Sequence, residues 1–363
     1  MFSPHVAPRA AERAADVMRG PLIGQGQLVE DFEAAIKRAL NLAHVVAVNA
    51  SSSAIRLALS ISGVGPGDEV VTTPLTCTIA NHPILEQFAT PVFADIQADT
   101  GNIDPADVAR RITPRTKAIV CTHWAGTPCD LDELNAVARA HSIPIIEDAS
   151  EAFGATYRGR SVGRHSRFVA FSFQAIQIIT TAEGGALAVQ SAADDDQARV
   201  QRWYGIDRAG RSANALGYYD FDVTAVGFGY HMTNLAAAIG MENLATLPAQ
   251  QAHRRALAAT YWEGLTGVPG LDLLRRCDDR EPAYHFFTVL AQRRDDFTRK
   301  LGAAGVRVSI VHARNDQNSI FGGVLRDLPH LDTFSHAYVG LPVHMGMTVD
   351  DAAYIVDTIC SGW

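Results

Sequence analysis

The chain has 363 residues, of which 47% are apolar and 19% charged, and its formal net charge is −8. This composition is typical of a compact globular enzyme and argues against a disordered protein. The acidic balance argues against nucleic acid or an anionic membrane as the main partner, and no segment has the apolar length of a membrane span. We therefore expect a cytoplasmic protein whose partner is a small molecule.

The cysteines point to neither a disulfide framework nor a metal centre. Their number is odd, and none of their spacings matches C-x-x-C or a zinc motif. We expect reduced core thiols and predict no metal site. The five positions are Cys77, Cys121, Cys129, Cys277 and Cys360.

The first two thirds of the chain alternate between short apolar runs and helical spacing. Helices are predicted over 8–20 and from about 28 to 40. Seven runs are predicted strands, namely 45–48, 69–73, 91–94, 118–122, 144–147, 168–173 and 185–189. Continuously apolar strands predict a sheet that helices cover on both faces. The fold class is therefore α/β, with a mostly parallel seven-stranded sheet whose ligand site lies at the carboxyl ends of the strands.

The texture of the chain changes after Pro248. A long helix is predicted over 249–265, a strand over 284–290, a helix near 295–304, a strand over 306–311 and a closing helix near 349–360. This pattern predicts a smaller α+β domain. We accordingly divide the chain into residues 1–247, an N-terminal arm with a large α/β domain, and residues 248–363.

Small hydroxylic residues open the helix that follows the first predicted strand. The segment Asn49–Leu59 places Ser51 and Ser52 at that position. Free backbone N–H groups at a helix N-terminus can hold a phosphate, with the serine hydroxyls as further donors. A simple serine N-cap explains the same residues equally well.

Paired acids follow the buried strand over 144–147. Asp148 ends that strand, and Glu151 lies three residues further on. A carboxylate at such a strand terminus can hold a pyridine nitrogen protonated, which makes the ring an electron sink. Acids that cap the N-terminus of the next helix are the alternative.

The segment 168–189 consists of an apolar strand, a polar hinge and a second apolar strand. Its hinge reads Ser172-Phe-Gln-Ala-Ile-Gln177, and Glu183-Gly-Gly185 follows. With the two segments above, this pattern resembles the DegT/DnrJ/EryC1/StrS family, which are sugar aminotransferases of fold type I that depend on pyridoxal phosphate (PLP). The family reads Ser-Phe-x-x-x-Lys at the hinge, so Gln177 stands at the position of the Schiff-base lysine.

The resemblance implies roles for the residues of all three segments. It makes Ser51, Ser52 and Ser172 phosphate ligands, and it places Asp148 at the pyridine nitrogen. Glu151 stands where the family has Gln or His, beside the phenolate oxygen of the cofactor. A carboxamide can neither form the internal aldimine nor shuttle protons, so Gln177 can only hydrogen-bond. PLP or pyridoxamine phosphate (PMP) is the implied cofactor, noncovalent if bound, and the pocket could also work without one.

Three further segments resemble the family. One begins at His123. A second, at 227–234, contains Gly229 and His231. Many members carry at the position of Gly229 an Asn or Lys that reaches the partner subunit's cofactor. The resemblance therefore implies a homodimer with shared active sites. The third is His312-Ala-Arg314, whose side chains could meet a pyrophosphate or carboxylate or form a polar turn. We predict His231, His312 and Arg314 as substrate ligands.

Three functions are compatible with these observations. In the first, a remodelled pocket performs acid–base chemistry on a keto or hydroxyl substrate of natural-product or nucleotide-sugar biosynthesis, with Glu151, Asp148 and His123 as proton carriers and Gln177 orienting the substrate. In the second, the protein is an aminotransferase of a nucleotide-linked keto sugar that the Lys→Gln change impairs. In the third, it is a noncatalytic partner of an active paralogue.

Overall fold

A computed structural model describes residues 1–208, 210–324 and 327–363. A seven-stranded sheet forms its centre, and the other strands form three small sheets. The strands of the central sheet are β1 (His44–Val48), β2 (Glu69–Thr72), β3 (Thr90–Phe93), β4 (Thr116–Thr122), β5 (Ile145–Asp148), β8 (Phe168–Ser172) and β9 (Gly185–Val189). The remaining strands are β6 (Thr156–Tyr157), β7 (Arg160–Ser161), β10 (Ser212–Ala213), β11 (Tyr219–Asp220), β12 (Leu271–Leu273), β13 (Arg280–Glu281), β14 (Phe287–Ala291) and β15 (Tyr338–Leu341).

Helices cover the central sheet and build much of the C-terminal part. They are α1 (Ala10–Arg19), α2 (Gln27–Leu40), α3 (Ser51–Ile61), α4 (Thr78–Glu86), α5 (Pro105–Arg111), α6 (Leu131–Ala140), α7 (Ala192–Arg202), α8 (Asn234–Leu244), α9 (Leu247–Leu265), α10 (Arg294–Ala303), α11 (Pro329–Ala337) and α12 (Val349–Cys360). None of the helices in the described ranges is both long and apolar enough to cross a bilayer.

The order of the central strands is β1-β9-β8-β5-β4-β2-β3. The pairs from β8 through β5, β4 and β2 to β3 are parallel, whereas β9 is antiparallel to both β8 and β1. The seven strands predicted from the sequence are thus confirmed, as is the mostly parallel sheet. Each face is buried under helices, with Val46, Ala170 and Leu187 beneath α3 on one side. This double cover explains why the strands are apolar at nearly every position.

The C-terminal part contains the predicted helices and a sheet of order β12-β14-β15. The predicted strand over 306–311 is wrong, because this half-exposed segment meets the edge strand β15 only through a single bridge, between Ser309 and Gly340. The boundary after residue 247, where α9 begins, stays a prediction. Leu331 and Phe334 of α11 share a core with Trp124 of the large domain, which fixes the C-terminal part against the sheet.

Candidate active site

Polar residues lie where the central strands end. β4 ends at Thr122, β5 at Asp148 and β8 at Ser172. Thr122 lies opposite Asp148, and Gly185 of β9 pairs with both Ser172 and Val48 of β1. These neighbouring strand ends define one edge of the sheet, which we call the cleft edge. It is the position at which open α/β sheets bind their ligands.

Asp148 has one oxygen held by the protein and one that is nearly free. Its Oδ1 accepts hydrogen bonds from the Ser150 backbone N–H (3.1 Å) and hydroxyl (2.5 Å). Among the described residues, its Oδ2 has only a long contact of 3.5 Å with Thr122 Oγ1. Burial raises the pKa of the Asp148 carboxyl, although the bonds from Ser150 oppose that shift. A cationic donor at Oδ2 would supply the charge partner that this buried carboxylate needs.

The N-terminus of α3 lies against the same edge. Ala50 is the N-cap and makes no side-chain cap bond, the first turn carries no acid, and Ser51 is buried while Ser52 is half-buried. A Cβ on Gly185 would lie 2.6 Å from the Ala50 carbonyl carbon and 2.7 Å from the Ser51 nitrogen. Glycine is therefore required for β9 to approach this turn. The uncapped N–H groups suit an anion, as the sequence predicted.

The loop between β8 and β9 carries Gln177. The loop is closed by bonds from Phe173 N to Gly184 O and from Thr181 N to Phe173 O, both 2.9 Å. Gln177 donates its backbone N–H to Gln174 O at 3.0 Å. Its side-chain Oε1 is buried and has no hydrogen-bond partner within the described part of the chain. A buried carbonyl oxygen without a donor costs free energy, so this position favours a ligand that carries an N–H group.

The chain has three lysines, and none belongs to the cleft edge. Lys37 lies in the last turn of α2. Lys117 is exposed in β4, next to the strand's first residue and thus at the opposite end from Thr122. Lys300 lies on α10 of the C-terminal part. No lysine side chain is therefore placed to replace an amine at Gln177.

Glu151 forms an ion pair that the sequence did not suggest. Its Oε1 lies 2.6 Å from Nε2 of His312, which is 161 residues away in the chain, and its Oε2 accepts the Ala125 N–H at 2.9 Å. Burial alone raises the pKa of the Glu151 carboxyl, but the His312 charge and hydrogen bond outweigh it, so the pKa lies below its ordinary value. The extra anion therefore has its own counter-ion.

His123 is fully buried with both ring nitrogens bonded. Nε2 lies 2.9 Å from Glu147 Oε2, and Nδ1 accepts the Cys129 backbone N–H at 3.1 Å. The Cys129 thiol in turn donates to Thr122 O at 3.2 Å. The accepted N–H fixes the neutral tautomer with its proton on Nε2. This arrangement disfavours the predicted role of His123 as a proton carrier and indicates a residue that positions the ends of β4 and β5.

His231 and Gly229 lie in a segment that runs beside β1. Val48 forms a bridge with His231, whose ring centroid lies 3.9 Å from that of Trp203. Burial, with Arg202 nearby, lowers the pKa of His231. A Cβ on Gly229 would lie 2.6 Å from the Tyr204 hydroxyl oxygen. Tyr204 thus occupies the space that a side chain at 229 would need.

Arg314 is held by two carboxylates. It makes a bidentate contact with Asp316, with both N···O distances 2.7 Å, and a further ion pair with Asp332. This pairing disfavours the predicted role of Arg314 as a substrate ligand. Its neighbour Asn315 instead reaches the cleft edge, donating to Thr76 O at 2.7 Å.

Two residues near the cleft were missed from the sequence. The Thr76 hydroxyl accepts a hydrogen bond from Thr122 Oγ1 at 3.0 Å, and Cys77 is close enough to Asp148 and Glu151 that their charges add to burial in raising the pKa of its thiol. Both follow β2 directly, so their place after a buried strand was the signal that could have identified them.

These features define a class of protein before any comparison is made. The fold is the type I architecture of the sugar aminotransferases. It combines a doubly wound sheet with an uncapped helix N-terminus, a buried aspartate and a polar hinge at one edge. The model of the DegT/DnrJ/EryC1/StrS aminotransferase family matches residues 5–360, and the chain belongs to this family.

The chain is similar to relatives over nearly its whole length. It is 31% identical over 370 residues to the spore coat polysaccharide biosynthesis protein SpsC of Bacillus subtilis (strain 168). The aligned region covers 98% of this chain and 95% of SpsC. The structure superposes on the sugar aminotransferase CalS13 from Micromonospora echinospora with a TM-score of 0.95, 35% identity and coverage of 100% of this chain and 99% of CalS13. Spr1654 from Streptococcus pneumoniae in its PMP form gives a TM-score of 0.91 at 25% identity, with 99% and 98% covered.

Proposed function

We propose that this family member holds PMP without a covalent bond and carries out acid–base chemistry on a keto or hydroxyl group of a sugar. The observation that carries the proposal is Gln177, whose buried carboxamide oxygen lacks a donor. The amine of PMP is such a donor, whereas the aldehyde of PLP is not. PLP would need a lysine to be held as an internal aldimine, and the three lysines in the chain lie elsewhere.

The rest of the cleft edge fits the same cofactor. The α3 N-terminus with Ser51 and Ser52, together with Ser172, would hold the phosphate. Asp148 would accept from the pyridine nitrogen through Oδ2, the oxygen that the protein leaves nearly free. When bound, PMP supplies an amine and a ring that accepts electrons. Gln177 orients the amine, and the charged groups of the protein hold or move protons beside it.

The substrate class that we propose is a nucleotide-linked sugar. Two observations support it. The chain belongs to a sugar aminotransferase family. SpsC is a spore coat polysaccharide biosynthesis protein, and CalS13 is a sugar aminotransferase. A role in natural-product or polysaccharide biosynthesis follows from the same likeness. The specific sugar is a matter for substrate screening with purified protein.

We also propose that two copies of the chain share their sites. A segment after β10 exposes a run of large apolar side chains, of which Leu216 is 93% and Val226 81% exposed; the others are Tyr218, Tyr219, Phe221 and Val223. Contiguous exposed apolar surface of this kind marks an interaction site. Gly229 lends no side chain to a neighbouring site, which disfavours a noncatalytic helper of an active paralogue.

The binding claim is tested by comparing PMP and PLP as stabilising ligands. We expect PMP to raise the melting temperature of the wild-type protein in a concentration-dependent way, and PLP to do so less. Gln177→Leu should remove this preference because the amide acceptor is lost. Gln292→Leu, the same change at an exposed position in the C-terminal part, should keep it. An equal response to the two compounds in wild type and Gln177→Leu would contradict the proposal.

A further inference from the structure

We propose that His312 is the proton carrier of the cleft and that Glu151 is its positioning residue. The inference rests on the proposed function, because it assigns the acid–base step of that chemistry to particular atoms. It changes the role of both side chains. His312 was predicted to bind substrate, and Glu151 to carry the proton itself.

Glu151 is held too firmly to exchange protons with a substrate. Its side chain is 6% exposed, and each of its oxygens already has a donor, one from His312 and one from Ala125. Ala125 adopts a left-handed conformation, with φ of 54°, and its N–H points at Glu151. Such a conformation is costly for alanine and persists where the surrounding structure holds it. The turn is thus built to fix the carboxylate.

Gly126 and His285 hold this turn in place. A Cβ on Gly126, whose φ is +86°, would lie 2.6 Å from the Glu151 carbonyl oxygen. His285 donates its backbone N–H to Ala125 O at 3.0 Å. The strained residue is therefore fixed on both sides, by the backbone of Glu151 and by a segment of the C-terminal part.

His312 has the opposite character, because one of its ring nitrogens remains available. Nε2 faces Glu151, whereas Nδ1 has no hydrogen-bond partner in the parts of the chain that the structure describes. The side chain is 18% exposed, so it is not sealed in the core. The Tyr338 hydroxyl donates to the His312 carbonyl, and the edge of Trp124 packs at 6.0 Å between ring centroids. These contacts orient the ring and leave Nδ1 without a hydrogen-bond partner among the described residues.

Glu151 has other titratable groups around it besides His312. Asp148 and Cys77 lie near enough to interact electrostatically with its carboxylate. His285 faces Glu151 from the other side, and burial lowers the pKa of His285 to about 4, so that it is neutral at physiological pH. Among these groups, His312 is the one whose ring nitrogen lies within hydrogen-bond distance of the Glu151 carboxylate, at 2.6 Å.

The proton transfer balances without any further reactant. In the neutral ring the proton is on Nε2, which donates to Glu151, and the lone pair is on Nδ1. Nδ1 takes a proton from a substrate C–H or O–H bond, and the electron pair of that bond stays on the substrate. The imidazolium is stabilised by Glu151. The same proton then returns from Nδ1 to the substrate, so that no electrons are gained or lost.

The test is the pH profile of histidine modification by diethyl pyrocarbonate, read by peptide mass spectrometry. The reagent attacks neutral imidazole, so the rate at His312 should rise with pH. In Glu151→Gln the carboxylate that faces Nε2 is replaced by a neutral amide, and we expect the profile to move to lower pH relative to wild type. Glu151→Asp keeps the charge and should stay close to wild type. Exposed His141 is the internal control and should not move.

Saturation with PMP should also protect His312 but not His141. An unchanged profile in Glu151→Gln, or modification of His312 that PMP does not slow, would overturn the proposal. If PMP fails to bind at all, the melting experiment above shows it and the binding claim fails. The pH shift between wild type and Glu151→Gln is measured without ligand, so it tests the pairing independently.

Discussion

At the scale of single residues, the unusual side chains of the cleft edge have chemical requirements that other groups can meet. By the family resemblance, Glu151 would put an anion beside a cofactor oxygen, and no partner for it could be inferred from the sequence. The structure supplies His312 at 2.6 Å. The buried carboxamide oxygen of Gln177 likewise has no hydrogen-bond partner among the described residues. Each of these side chains thus has a chemical requirement that another group can meet.

Replacing His312 with asparagine should destabilise the protein in a pH-dependent way. The native pKa of the Glu151 carboxyl is lowered, so its contribution to the free energy of unfolding is present above the unfolded pKa and is lost as pH falls through the native pKa. Without the cation, burial dominates and the charged form becomes costly. We expect a loss of about 3 kcal/mol at pH 7, the lower end for a broken buried pair, shrinking from about pH 5 downward.

Urea unfolding of wild type and His312→Asn at pH 7 and pH 4 measures this difference. Glu151→Gln and the double variant complete a double-mutant cycle. The coupling energy between residues 151 and 312 should also decrease as the pH is lowered. A destabilisation of the same size at both pH values would indicate lost packing rather than a lost charge pair.

Gln177→Lys should restore a primary amine where the family has one. We expect the variant to form a covalent link with PLP that borohydride fixes at residue 177. Ile176→Lys is the matched control, because Ile176 is 38% exposed and its replacement adds a lysine one residue away. If the two variants are labelled equally, position 177 has no special access to the cofactor aldehyde.

At the scale of elements, strands were predicted better than connections. The seven sheet strands follow from apolar runs buried on both faces, a signal that lies within a few residues. The strand over 306–311 failed because alternation alone does not ensure a partner strand. The N-terminus of α3 and Asp148 lie at strand ends, which parallel topology brings together, and their roles toward a cofactor stay predictions.

The Glu151–His312 pair could not be predicted, because it joins segments 161 residues apart in different parts of the fold. Arg314 is a different case, because its partners are Asp316, two residues away, and Asp332, 18 residues away on α11, and only the packed structure shows that both carboxylates face it. His123 resembled a site residue by its motif, yet only the packed structure shows that both of its ring nitrogens are bonded.

Gly229 offers a test of local packing. A methyl group there would lie 2.6 Å from the Tyr204 hydroxyl oxygen, at the end of a side chain that is 53% exposed and can shift, so Gly229→Ala should cost about 1 kcal/mol or less. Gly65→Ala is the control, since nothing lies within 4 Å of its added Cβ. Combining Gly229→Ala with Tyr204→Ala should recover part of the loss in denaturant unfolding. Equal costs for the two alanine variants would contradict this account of Gly229.

At the scale of the whole molecule, the cleft is assembled from both parts of the chain. The sheet edge supplies Asp148 and Gln177, and the C-terminal part supplies His312. The shared core around Trp124 holds these parts together. A substitution in that core should therefore disturb the cleft as well as stability.

The proposed dimer is tested on its exposed apolar segment. Leu216→Asp places a charge in that surface and should shift sedimentation velocity from dimer toward monomer. Val349→Asp makes the same change at another exposed position, 46% accessible, and should leave the distribution unchanged. A wild-type protein that sediments as a monomer at micromolar concentration would rule out the shared-site arrangement.

The most direct test of the central claim is the mass of the wild-type protein after saturation with PLP and reduction by borohydride. The cleft edge contains no lysine, so we predict that the protein is recovered unmodified at residue 177 and without stoichiometric labelling of Lys37, Lys117 or Lys300. One equivalent of reduced cofactor on any single lysine would contradict the account, because it would show that the protein supplies an amine after all.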